Sequence, residues 1–362
     1  MKKSILLLVM SMTVLTLFTG CSQKVKLETG MANSSTIKSC SYDMTISADA
    51  TGLKINGTEG VAAGLETGVS DMLSAGKVSL NFNGKMLKTD DRSKISSNVK
   101  ASAGGISFET PIYIDSSNTK LDFDLFVGVP AILKESLGAE LANITNLHLA
   151  SKDLESYIKS NSSAEDYKKF QDSMTKLFNS KDNKNTQVSK DMLLSFNTYL
   201  DKNKKKVETF AKLGDASASK NGVYTIKFSK EDLKIIVSNY FSNETYFSNF
   251  KAAAQETQEL YSAGSSDKLK LAKIDDAKTI ISDYNKAIDA NKTVDIVATF
   301  TIVEKLVTKT NIKFAVVNTD GNVTFEIDSK LSDIDKVTSI VAPDKNSDKT
   351  LNIMKLIDPL TN

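Results

Sequence analysis

The sequence predicts an α+β fold: a curved antiparallel sheet, a half-barrel-like meander, covered by helices. Three observations carry this. Apolar and polar residues alternate near both ends of the folded region, as in Leu121-Asp122-Phe123-Asp124-Leu125 and at Val294, Ile296, Ala298, Phe300 and Ile302, which marks strands with one dry and one wet face. Between residues 151 and 291 the apolar period becomes that of an amphipathic helix. Asn-Gly and Asp-Gly pairs punctuate the strand regions at Asn83-Gly84 and Asp320-Gly321, as tight turns require. The chain has 362 residues, 40% of them hydrophobic, and sets 46 Lys and Arg against 44 Asp and Glu. That balance gives no basic footprint, so nucleic acid is not expected as a partner.

Taken in order, the chain opens with Met1-Lys2-Lys3 and an apolar run from Ile5 to Leu17, then Phe18-Thr19-Gly20-Cys21. Residues 1–20 read as a secretory leader whose apolar stretch is short for a membrane span. Thr19 and Gly20 before Cys21 resemble the lipobox of bacterial lipoproteins, with Phe18 standing where most members carry leucine. The resemblance implies that Cys21 receives a diacylglycerol and becomes the mature N-terminus, anchored to the outer face of the cell membrane. Loss of Lys2 and Lys3 then leaves cations and anions equal in number, so no polybasic patch serves as a second anchor. Two acyl chains suffice, at about 0.8 kcal/mol per buried CH2. With Cys21 modified, Cys40 has no partner for a disulfide and reads as a small residue at a strand start.

Residues 21–40, rich in Lys, Ser, Thr, Gly and Asn, read as a flexible tether. One folded domain is expected over 41–340, with strands in 41–128 and 294–329, helices mainly in 151–291, and a tail over 341–362. In the first strand region Val78, Leu80 and Phe82 alternate, and Ile106 and Phe108 flank Ser107. Asn56-Gly57 and Asn83-Gly84 are read as turns, Val61 to Ala75 as a glycine-weakened helix, and Pro130 to Leu137 as a short helix. His148 falls in a brief strand between Leu147 and Leu149.

Ser162 with Glu165 reads as a capping box opening a helix that carries Tyr167, Phe170, Met174 and Leu177. A longer helix is expected from Ser189 to Leu213, with Phe196, Leu200, Val207 and Phe210 inward and Lys202, Lys204, Lys205 and Lys206 on a solvated face. After a strand from Val223 to Phe228, Ser229, Asn243 and Asp275 each precede a helical pattern. Strands then return at Val294, at Ile312 and at Val323. Leu147 to Leu154 resembles Ile226 to Leu233, each a strand running into a helix that starts at a serine.

This order of lipobox, meander, helices and returning strands resembles the LolA-like half-barrel lipoproteins of bacterial envelopes. Thr110 to Asp115, Leu121 to Leu133, and Asn146 to Leu149 leading into Lys152-Asp153-Leu154 are similar, in that order, to segments of lipoproteins from low-GC Gram-positive bacteria. The resemblance implies an apolar cavity for acyl chains between sheet and helices. It transfers no functional residue one by one.

No catalytic signature stands out. Ser-x-x-Lys recurs, as at Ser35/Lys38, Ser97/Lys100, Ser117/Lys120, Ser173/Lys176 and Ser248/Lys251, without its companion motifs, and His148 lacks the glycine elbow of a serine triad. With one His and Arg92 as the single arginine, the chain has no metal-binding spacing, and no cofactor is expected. The reading is a non-enzymatic lipoprotein that binds or carries a lipid or lipidated molecule. Phe82, Phe108, Phe123, Leu125, Phe300 and Phe314 are the candidate lining. The alternative is a scaffold with a filled core that acts on a protein partner.

Overall fold

The computed structural model describes residues 33–34, 36–51, 77–130, 143–178, 184–203, 207–211, 222–262, 276–318 and 321–357. The expected leader, Cys21, Asn56-Gly57, the Val61 to Ala75 pattern and the helix expected after Pro130 lie outside them. Strands β1 (Ser39–Thr51), β2 (Val78–Lys88), β3 (Arg92–Ala103), β4 (Ile106–Ser117), β5 (Phe123–Gly128) and β6 (Asn146–Ala150) form a meander. Helices α1 (Ser151–Asn161), α2 (Ala164–Phe178) and α3 (Lys184–Lys202) follow, then β7 (Val207–Ala211) and β8 (Gly222–Ser229). Helices α4 (Lys230–Phe241), α5 (Glu244–Ser262) and α6 (Ala277–Asp289) lead back to β9 (Thr293–Val303), β10 (Leu306–Asn318) and β11 (Gly321–Ser332). Strand β12 (Thr350–Asn352) and the short α7 (Met354–Ile357) close the described chain.

All twelve strands belong to one open sheet in the order β12-β6-β5-β4-β3-β2-β1-β11-β10-β9-β8-β7. Neighbours are antiparallel except β12, which lies parallel to β6 with Leu351 opposite Leu147. The α+β class therefore holds. The first strand and the eleventh meet in the middle of the sheet, Ser41 facing Ser332. The period-two pattern explains the burial: in β9, Val294, Ile296, Ala298, Phe300 and Ile302 are all buried, and every residue between them is not.

Helices α3 to α6 cover β8 to β10. Leu233, Ile236 and Val237 of α4, Tyr284 and Ile288 of α6, and Phe196 and Tyr199 of α3 pack with β8, β9 and β10 into one buried cluster. The start of α4 is fixed locally. The Ser229 hydroxyl accepts from the Asp232 backbone N–H, and the Asp232 carboxylate accepts from the Ser229 backbone N–H at 2.9 Å, a reciprocal cap that satisfies two free helix-end donors.

Several local expectations are corrected. Asn83-Gly84 is no turn, because β2 runs straight through it. A Cβ on Gly84 would press on the Ser96 carbonyl and come within 2.7 Å of the Ser97 Cα, so the glycine serves close strand approach instead. The tight turns lie elsewhere. Gly104 and Gly105 join β3 to β4 with φ of 56° and 83°, and Glu304 and Lys305 join β9 to β10 with φ of 50° and 69°, the positive pair that a two-residue hairpin loop needs.

The expected helix to Leu213 ends at Lys202. The Asn203 side chain donates to the Tyr199 carbonyl at 2.9 Å, and the Val207 segment pairs as an edge strand with β8, Val207 opposite Ile226. Residue Ser162 closes α1, and Ser163 caps α2: its hydroxyl accepts from the Asp166 N–H at 3.1 Å. At α6 the cap is Asp276, whose carboxylate accepts from the Lys278 N–H at 3.1 Å. The segment read as a tail supplies β12 and so extends the sheet.

Candidate functional site

One face of the sheet is predominantly apolar from β8 to β5, interrupted by a few hydroxyl side chains. Strand register makes this explicit. Tyr224, Phe300, Thr310, Ser329, Met44, Phe82, Val99 and Thr110 form a single cross-strand row. The row Cys40, Met86, Ile95, Ile114, Leu125 and Leu149 lies on the same side. Phe108 opposes Ala101, Phe123 opposes Ser116, and Phe314 opposes Ile296 and Phe325. All six candidate lining residues thus share this face.

The helices divide it in two. Phe300 and Phe314, 0% and 3% exposed, are packed solid beneath α3 to α6. There they are part of the buried cluster. Phe82, Phe123 and Leu125 are half-buried. Phe108 is 48% exposed, and beside it Ile106 and Leu80 are 69% and 38% exposed. Phe108 therefore stands half in the open. What the fold offers is a half-covered apolar surface on β1 to β5, continuous with the sealed core.

The opposite face of the β1–β6 half is covered from within. Tyr113, Phe126 and Ile340 are buried there together, with Leu87 and Val337 packed against them. His148 belongs to this side. It is buried, its Nε2 lies 2.8 Å from Asp124 Oδ1, and its ring stacks on Phe126 at 4.3 Å between centroids. This is the satisfied structural histidine that its flanking leucines suggest. Arg92 donates to Asp115 at 2.6 Å and to Asp122 at 2.9 Å. The guanidinium holds the Asp122 carboxyl below its ordinary range. Burial, with the Asp335 charge second, pushes the Cys40 thiol up, so Cys40 is a poor nucleophile at neutral pH.

The apolar face ends in a polar row where β1 begins. The Lys88 N–H donates to the Lys38 carbonyl at 2.6 Å, Lys88 opposes Ser93, and Ser93 opposes Ser116. Here a groove of about 720 Å³ opens, lined by Thr36, Ile37, Lys38, Lys88, Thr89, Asp90, Ser93, Asn118 and Thr119. The sequence reading missed both this groove and the exposure of Leu80 and Ile106. Each depends on which strands neighbour one another, and Lys38 and Lys88 meet only through the β1–β2 register.

Among the described residues no three His, Cys, Asp or Glu side chains gather as a metal site, and no helix is long and apolar enough to cross a membrane. No protein-family model, no curated protein and no solved structure matches the chain.

Proposed function

We propose that this chain is a non-enzymatic, lipid-anchored lipoprotein of the cell envelope that binds or carries a lipid or lipidated molecule on the half-covered apolar face of β1 to β5. The observation that carries the reading is the split of that face. Helices seal it over β8 to β10, whereas Leu80, Ile106 and Phe108 meet water on the same side of the same sheet. Each Å² of such surface covered by an acyl chain contributes about 25 cal/mol.

The dimensions suit a single leaflet's chain. From Cys40 to Ile46 along β1 the face extends about 20 Å, against about 15 Å for half the hydrocarbon core of a bilayer. Anchoring through Cys21 keeps the face near its source. The stretch from Cys21 to Lys38 can reach no more than about 60 Å.

The test is native mass spectrometry, with organic extraction in parallel, on the protein freed of detergent. A stoichiometric co-purifying lipid, or uptake of added fatty acid or phospholipid, is the expected result. A bare mass with no uptake overturns the reading and leaves the alternative, a scaffold that engages a protein partner through the same patch.

A further inference from the structure

We infer that the groove at the lysine end of the apolar face holds the anionic phosphate headgroup of the bound lipid, so that the ligand lies along the sheet with its head beside Lys38 and Lys88. This rests on the reading of the apolar face as a lipid site and adds the chemistry of the head and the direction of the chains.

The groove wall is already fixed by its own hydrogen bonds. Ser93 donates to the Asn118 side-chain oxygen at 2.7 Å, and the Asn118 amide donates to the Thr89 carbonyl at 3.0 Å and the Asp90 carbonyl at 3.2 Å. Thr89 exchanges hydrogen bonds with the Arg92 backbone, and the Thr36 hydroxyl donates to the Asn33 carbonyl at 2.7 Å. The charges on the lining itself are the ammonium groups of Lys38 and Lys88 and the carboxylate of Asp90, while the Asp335 carboxylate, outside the lining, accepts from the Lys38 and Ser39 backbone N–H groups at 2.8 and 3.2 Å.

Neighbouring cations are otherwise neutralised. Arg92, Lys94 and Lys120 all pair with Asp115 or Asp122. Lys38 and Lys88 make no ion pair among the described residues, and both are exposed. Like charges directly opposite across a strand pair destabilise it, and a phosphate between them would remove that penalty. One row further along the face stand Met86, Ile95, Ile114 and Leu125, about 7 Å away. An amphiphile therefore meets the two cations first and an apolar track immediately after. This polar end is also the end at which the chain arrives from Cys21, so the headgroup faces the anchor.

Calorimetric titration of the full chain with three probes tests the inference: phosphatidylglycerol, diacylglycerol with the same acyl chains, and glycerol phosphate. Phosphatidylglycerol is expected to bind about tenfold tighter than diacylglycerol, a difference of about 1.4 kcal/mol. The double variant Lys38→Gln/Lys88→Gln is expected to lose that preference and keep its affinity for diacylglycerol. Equal affinity for the two lipids in the unaltered protein, or a preference that survives the double variant, overturns the headgroup assignment alone. Glycerol phosphate binding as tightly as phosphatidylglycerol, and lost in the double variant, makes the groove a site for free phosphate esters and overturns the lipid assignment. Failure to bind either lipid overturns the apolar-face reading and the inference with it.

Discussion

Phe108 and Phe300 present the same side chain on the same side of one sheet, and opposite consequences follow from what covers each. Phe300 is wholly buried among the residues of α3, α4 and α6, so Phe300→Ala removes its transfer free energy and leaves a cavity, a loss of about 3–5 kcal/mol. Phe108 is half in water. Phe108→Asp should leave folding within about 0.5 kcal/mol while weakening uptake of a fluorescent fatty acid at least about tenfold. Urea unfolding and ligand titration on both variants separate the two roles. A Phe108→Asp protein that takes up fatty acid undiminished would show that the open part of the face is not where chains bind. Sequence alone placed both residues on the dry face, and correctly, because alternation in a strand is a local property. It could not tell them apart, because cover is supplied by helices distant in the chain.

At the scale of elements, the two strand-to-helix junctions that look alike in sequence turn out to differ. Three residues after Ser229 stands Asp232, and the capping box forms. Three residues after Ser151 stands Leu154, so no box is available, and Ala150 occupies the cap position without a side-chain hydrogen bond. The Ser151 hydroxyl instead accepts from the Phe123 N–H at 3.2 Å, which ties α1 to β5. Asp153 accepts from the Asn352 amide at 2.8 Å, which ties α1 to β12. Ser229→Ala should therefore cost about 1–2 kcal/mol, read as a lower urea midpoint, with Ser229→Asp retaining most of the stability. An unchanged midpoint for Ser229→Ala would show that packing alone sets the start of α4. Helices α4, α5 and α6 were legible because their stripes and caps sit within a few residues of one another. Strands β7 and β12 were not, since a strand of three to five residues takes its hydrogen bonds from a neighbour the local pattern does not name. Asn83-Gly84 misled for the same reason, its glycine answering to Ser96 and Ser97 on β3.

For the molecule as a whole, burial of tyrosines sets a limit on the alkaline side. Burial raises the hydroxyl pKa of Tyr199, Tyr240 and Tyr284 well above the ordinary 10.0, with the Asp232 carboxylate adding to the effect at Tyr199 and the Asp191 charge at Tyr240. The unfolded chain releases these protons near pH 10 and the folded chain keeps them. Their contribution is thus fully present below pH 10 and is lost as pH rises from there through the higher folded values. Urea midpoints should hold from pH 8 to 9.5 and fall beyond pH 10, and Tyr284→Phe should flatten the fall. A profile level to pH 11 would show that these hydroxyls ionise as readily folded as unfolded. The sheet order carries one more consequence. Because β1 pairs with β11 at its centre, a chain emerging N-terminus first keeps β1 without its second neighbour until residue 332 has emerged. Pairing across so long a separation makes folding slow, and until β11 forms, one edge of β1 stands open to a wrong strand.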